Sequence, residues 1–112
     1  MGIWVGIKKY IMSALGTEFK INVHMDPIDG YHMSDVDFHA DFYVNARNSL
    51  RLKKTDMTMV DEDNYLAVVD SRKTGRGQLK FVLYAAIPDG DCENGIRNEI
   101  SDETICEGCY VT

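Results

Sequence analysis

Three acids in the stretch Ile87-Pro88-Asp89-Gly90-Asp91-Cys92-Glu93-Asn94-Gly95 stand two residues apart, the spacing of oxygen ligands in a calcium loop. An EF-hand loop takes side-chain oxygens at its first, third, fifth and twelfth positions and glycine at its sixth. Counted from Asp89, Asp91 and Glu93 fall third and fifth. Asn94 falls sixth, the glycine comes one residue late, and Ile100 stands twelfth with Glu99 beside it. A β-prone run precedes the loop where a helix should stand. Pro88, Asp89-Gly90 and Asn94-Gly95 are turn signals, so the stretch is expected to be a solvated bend after a long strand.

Cys106-Glu107-Gly108-Cys109 is a single CxxC. Zinc would need a second pair or a histidine with Cys92, and thioredoxin-like chemistry would need a βαβ unit. The expected role is packing on a terminal strand. Of the three histidines, His24 and His39 fall on polar-reading strand faces and His32 lies in a turn-rich stretch. Neither a nucleophile elbow nor a Cys–His motif accompanies them, and no enzyme is expected. Thr74-Gly75-Arg76-Gly77 lacks the GxxxxGK[ST] pattern of a phosphate loop and enters a strand rather than a helix. No cofactor or metal is assigned.

The elements that must position these residues are strands. Val36, Phe38, Ala40, Phe42 and Val44 alternate with Asp35, Asp37, His39, Asp41 and Tyr43, which predicts one buried and one polar face. The polar face could be plain surface or could meet basic groups of a partner. Gln78 to Ile87 alternates Leu79, Phe81, Leu83, Ala85 and Ile87 against a half-apolar second face, which predicts a central strand. Shorter runs are Glu18–Met25, Tyr65–Val69, Leu50–Lys54, Ile96–Ile100 and Cys109–Thr112. Thr55–Val60 reads as a short turn, and residues 1–17 as an N-terminal hairpin or extension. Short strands between turn clusters suggest an all-β sandwich or barrel in one domain over residues 1–112, and an antiparallel sandwich is expected. Its expected core is Phe19, Ile21, Val23, Phe38, Phe42, Val44, Tyr65, Leu79, Phe81, Leu83 and Ile87.

Composition narrows the function. The 112 residues carry 12 basic and 18 acidic side chains, a formal charge of −6, which disfavours a phosphate-backbone partner. No segment is long and apolar enough to span a membrane. Lys8 and Lys9 interrupt the apolar N-terminus, so no signal peptide is expected, and a cytoplasmic product is. Three cysteines in a domain of this size suggest reduced thiols.

The order IWVGxKKY, DGYHMSDVDF, DFYVN, LRLKKTDMTMVDEDNYLAVVDS, TGRGQLKFVLYAAIPDGD and GIR resembles a family of small, largely uncharacterised prophage-encoded proteins taken as tail or baseplate components. The similarity runs over nearly the whole chain. Its most specific parts are Lys54-Thr55-Asp56-Met57, Val60 to Tyr65, Gly75-Arg76-Gly77 and Ile87-Pro88-Asp89. Cys92 departs from the aromatic that relatives carry after the acid. More loosely, the order resembles immunoglobulin-like N-terminal domains of upper baseplate proteins, with Asp61–Tyr65 as an acidic turn before an anchoring tyrosine.

The resemblance implies an immunoglobulin-like sandwich and a structural or assembly role before and within a virion, with no catalytic residues. The expected partners are other virion or assembly proteins, and a homo-oligomer suits such a part. Contact is expected through the loops at residues 26–35 and 89–97, at Tyr31, Met33, Asp35, Asp89, Asp91, Ile96 and Arg97. The alternative is a small module that binds calcium or carbohydrate through its acidic loops.

Overall fold

Alternating apolar residues build both sheets of the computed structural model, which describes residues 12–112. The strands are β1 (Met12–Ser13), β2 (Glu18–His24), β3 (Asp37–Tyr43), β4 (Ser49–Lys53), β5 (Thr58–Asp61) and β6 (Asn64–Asp70). After a one-turn helix, α1 (Ser71–Thr74), come β7 (Gly77–Pro88), β8 (Ile96–Ile100) and β9 (Thr104–Val111). Most of the expected N-terminal hairpin lies outside the described residues.

One sheet has the order β1-β9-β7-β3-β4, with β8 also on β7, and the other has the order β2-β6-β5. All pairs are antiparallel except β1 with β9. The chain is therefore all-β, as its alternation implies. β7 is central in its sheet: Leu79, Phe81, Leu83, Ala85 and Ile87 bury one face, and both of its edges are paired. One edge of β7 takes β3, and the other takes β8 at Tyr84–Pro88 and β9 at Gly77–Phe81.

Strands β8 and β9 act as one long strand along β7, interrupted twice. At the first break Ser101 Oγ accepts a hydrogen bond from Leu83 N at 2.9 Å. At the second, the ladder steps from Gln78↔Tyr110 to Lys80↔Ile105, so three extra residues bulge out around the CxxC. The Gln78 side-chain amide fills that gap, donating to Cys106 O at 2.7 Å and reaching Cys109 O at 3.4 Å. Gly108 takes the bulge's positive φ of 77°. The last strand thus starts at Thr104, five residues earlier than Cys109, because the bulge breaks the alternation that would have revealed it.

Ten of the eleven expected core residues are buried, and Val44 is partly buried against them. Phe38 of β3 meets Tyr65 of β6 edge-on across the sheets, with ring centroids 4.8 Å apart. Lys54 Nζ donates to Ser34 O and Val36 O, each at 2.8 Å, and lies over the Phe38 ring. The Thr55–Val60 turn resolves into a 3₁₀ turn at Lys54–Asp56 followed by β5. β5 is an edge strand exposed at every position, so it carries no alternation to read.

Candidate functional site

At one end of the sandwich the two loops expected to make contacts meet each other. Ile28 and Tyr31 exchange both backbone hydrogen bonds at 2.9 Å around Asp29 and Gly30, whose φ values are 51° and 83°. Positive φ at both central positions is what a type I′ turn requires, and Asp-Gly supplies it. The turn aims the Asp29 carboxylate at Arg97 on the inner side of β8. Arg97 donates Nη2 to Asp29 at 2.5 Å, Nη1 to Asp89 at 2.7 Å and Nε to Glu99 at 2.6 Å. The Asp29 carboxylate, and after it Glu99, hold the guanidinium firmly protonated.

Asp89 is committed within its own loop as well. Its Oδ1 accepts from Asp91 N at 3.0 Å, its N–H donates to Gly95 O, and its carbonyl accepts from Cys92 N. The stretch from Asp89 to Gly95 is therefore a closed turn locked by Arg97. Among the described residues its acids do not converge as metal ligands do.

The other residues expected at a contact are spread. Tyr31 is half-buried against the core, and Asp35 accepts His32 N at 2.9 Å to cap a 3₁₀ turn. Met33 is a correction: its side chain is fully buried. The turn at Met33–Asp35 points it inward as a core residue, so it offers nothing to a partner. Asp91 stays exposed, and Ile96 is 45% exposed.

A surface missed by the loop-centred expectation covers the outer face of the six-stranded sheet. The pairs Tyr84↔Ile100, Pro88↔Ile96 and Lys80↔Ile105 put these isoleucines on the same side as Val82 and Tyr84. Ile100 is 63% exposed and Ile105 58%. His39 stacks on Tyr84 with centroids 4.8 Å apart, and Tyr43 donates to Glu103 at the rim, which pushes the phenol up to about 12. Val82 and Tyr84 on the polar parity of β7 were the available sequence signal. Ile100 and Ile105 lay hidden because β8 and β9 are out of register with any single alternation.

Two further clusters carry potential chemistry. Cys106 and Cys109 are free thiols beside a cleft of about 440 Å³ between β2 and the bulge. Burial pushes the Cys106 thiol up to about 12 and raises Cys109 as well, so both resist ionisation and are poor nucleophiles. His32, Glu62 and Asp63 bring one donor atom each within 4.8 Å of the others. Among the described residues no helix is long and apolar enough to cross a membrane.

Compared with known proteins, the chain matches no family model, no curated protein and no solved structure.

Proposed function

We propose that the protein is an immunoglobulin-like module that works by protein–protein contact, as an assembly component of the virion type its prophage resemblance implies. Strand order supports the fold. With β2, β3, β4, β5, β6 and β7 taken as B, C, C′, D, E and F, and β8 with β9 as G, the sheets run B-E-D and G-F-C-C′. That is the partition of strands in a variable-type domain. Phe38 and Phe42 on β3, Val23 on β2 and Leu83 on β7 fill the space between the sheets, on the strands where antibody domains carry a tryptophan and a cysteine pair.

The observation that carries the function is the outer face of the larger sheet. Ile100 and Ile105 stand exposed beside Tyr84 and Val82, and Ile96 continues the same face opposite Pro88. Grouped exposed apolar side chains on one sheet face mark contact surfaces, whereas scattered ones do not. The test is co-expression with the products of neighbouring genes and light scattering on the chain alone, for wild type and Ile100→Glu/Ile105→Glu. A complex or oligomer lost in the double variant at an unchanged melting temperature supports the reading. Association equal in both, or none in either, overturns it.

A further inference from the structure

We infer that His32, Asp63 and Glu62 bind a divalent first-row transition metal, zinc(II) in the first instance, at the junction of two turns away from the apolar face. His32 Nδ1 stands 3.0 and 3.2 Å from the two Asp63 oxygens and 3.7 Å from Glu62 Oε1. Tetrahedral zinc with its ordinary bond lengths spaces neighbouring donors about 3.3–3.5 Å apart. The spacings from Nδ1 to the two carboxylates lie within a few tenths of an ångström of these values, and all three donors lie within 4.8 Å of one another, so an ion entering between them has only to draw the carboxylates in.

The donor set selects the ion. One imidazole and two carboxylates suit zinc and its neighbours. Calcium takes six to eight oxygens and has no use for the imidazole. Glu62 is too far from His32 for a hydrogen bond, yet it stands beside Asp63 with Asp35 close by, so the imidazole is surrounded by more negative charge than it can balance. A divalent cation balances it.

The donors are held in place by the backbone. Met25 N donates to Asp63 O at 3.2 Å and Ser34 N to Glu62 O at 2.8 Å, joining the segments that carry them. Met33 N donates to Asp63 Oδ1 at 3.3 Å, the kind of outer contact that orients a ligating carboxylate. Asp63 is 19% exposed and Glu62 61%, so the open side of the site faces solvent and leaves a fourth position to water. On binding, the metal replaces the proton at Nδ1, which passes to solvent.

The test is a zinc titration of the full chain, freed of metal with a chelator and kept reduced, by calorimetry and by thermal melting. Calcium is run in parallel. The variants are His32→Gln, Glu62→Gln and Cys109→Ser, each checked for fold by circular dichroism without metal. The expected result is one zinc per chain and a raised melting temperature in wild type and Cys109→Ser. Binding should fall at least about tenfold in His32→Gln and by a smaller factor in Glu62→Gln. Glu62→Gln, at an exposed position, decides the matter if His32→Gln does not fold. The cobalt(II) form should show ligand-field bands without a thiolate charge-transfer band. No zinc binding by wild type, binding unchanged in the folded variants, a preference for calcium, or loss of binding in Cys109→Ser would each overturn the inference.

Discussion

Arg97 and Asp29 are 68 residues apart in sequence and 2.5 Å apart in space, and this pair joins the two turns at one end of the sandwich. The guanidinium also holds Asp89 and Glu99, so one side chain fixes the inner side of β8, the bend after β7 and the turn after β2. Arg97→Met keeps the aliphatic stem and removes all three contacts. Amide exchange at Tyr31, Asp91 and Gly95 should quicken, while exchange in β3 and β6 stays slow. The same amides in the wild type should speed up in high salt, because the site is partly exposed and therefore screened. Unchanged exchange at these positions would show that the turns hold themselves.

The centre of the large sheet should respond very differently. Phe42 is fully buried and meets the Phe81 ring with centroids 5.3 Å apart. Phe42→Ala should cost about 3–5 kcal/mol in chemical denaturation, since it leaves a cavity that two sheets cannot close. Val68→Ala, at an exposed outer position of β6, should cost under about 1 kcal/mol.

Gly77 opens β7 with a φ of 127°, and a Cβ there would come within 2.6 Å of Val44 Cγ1. Both the backbone conformation and the space exclude a side chain. Gly77→Ala should destabilise by about 1–3 kcal/mol, through strain and a displaced Val44. The double change Gly77→Ala/Val44→Ala relieves the clash but not the strained φ. It should therefore cost less than the sum of the single changes, and strict additivity would refute the contact.

The CxxC is held open by Gln78, whose amide serves the carbonyls of Cys106 and Cys109. Gln78→Met removes that donor and should cost about 1–2 kcal/mol. It should also unmask a thiol. Cys106, pushed up to about 12 by burial, should resist a disulfide reagent in the native wild type at pH 8 and react measurably faster in the variant. Equal rates would mean that the bulge does not depend on Gln78.

Much of this architecture was legible because burial leaves a period of two. Phe38, Ala40 and Phe42 announce β3, and Leu79 to Ile87, with a half-apolar second face, announce a strand in the middle of its sheet. Where an element has no buried face the signal fails: β5 is exposed throughout and read as a turn. Where the register breaks, it fails again, as at Ser101 and at the CxxC in the strand that pairs with β7. The site residues were harder to place, because side-chain convergence is a property of topology. Nothing local links His32 to Asp63, which are brought together by Ser34 N on Glu62 O, or Asp29 to Arg97. Met33 illustrates the opposite error: an apolar residue in a polar loop looks like an anchor for a partner, yet the 3₁₀ turn folds it into the chain's own core.

His24 gives the fold a pH dependence whose sign can be worked out. Its Nε2 lies 2.7 Å from Asp26 Oδ1 and its Nδ1 3.0 Å from Asn64 Oδ1. The Asn64 oxygen must be an acceptor, because it also takes Asn22 Nδ2 while Asn64 Nδ2 donates to Asp61. Both ring nitrogens therefore face acceptors, and only the imidazolium satisfies both. The bond to Asp26 is the largest cause of a pKa raised above the ordinary 6.5. A raised pKa means that the fold favours the charged form. The resulting stability is fully present below about pH 6.5 and is lost as pH rises through the higher folded value. The effect should be small, since the ring is half exposed. Histidine ring resonances followed by NMR should titrate above the free value for His24, and Asp26→Asn should bring it down. Denaturation midpoints of wild type and His24→Gln should differ most below about pH 6.5 and converge as pH rises through the higher folded value. A difference that grows with pH instead would reverse the assignment of the charged state.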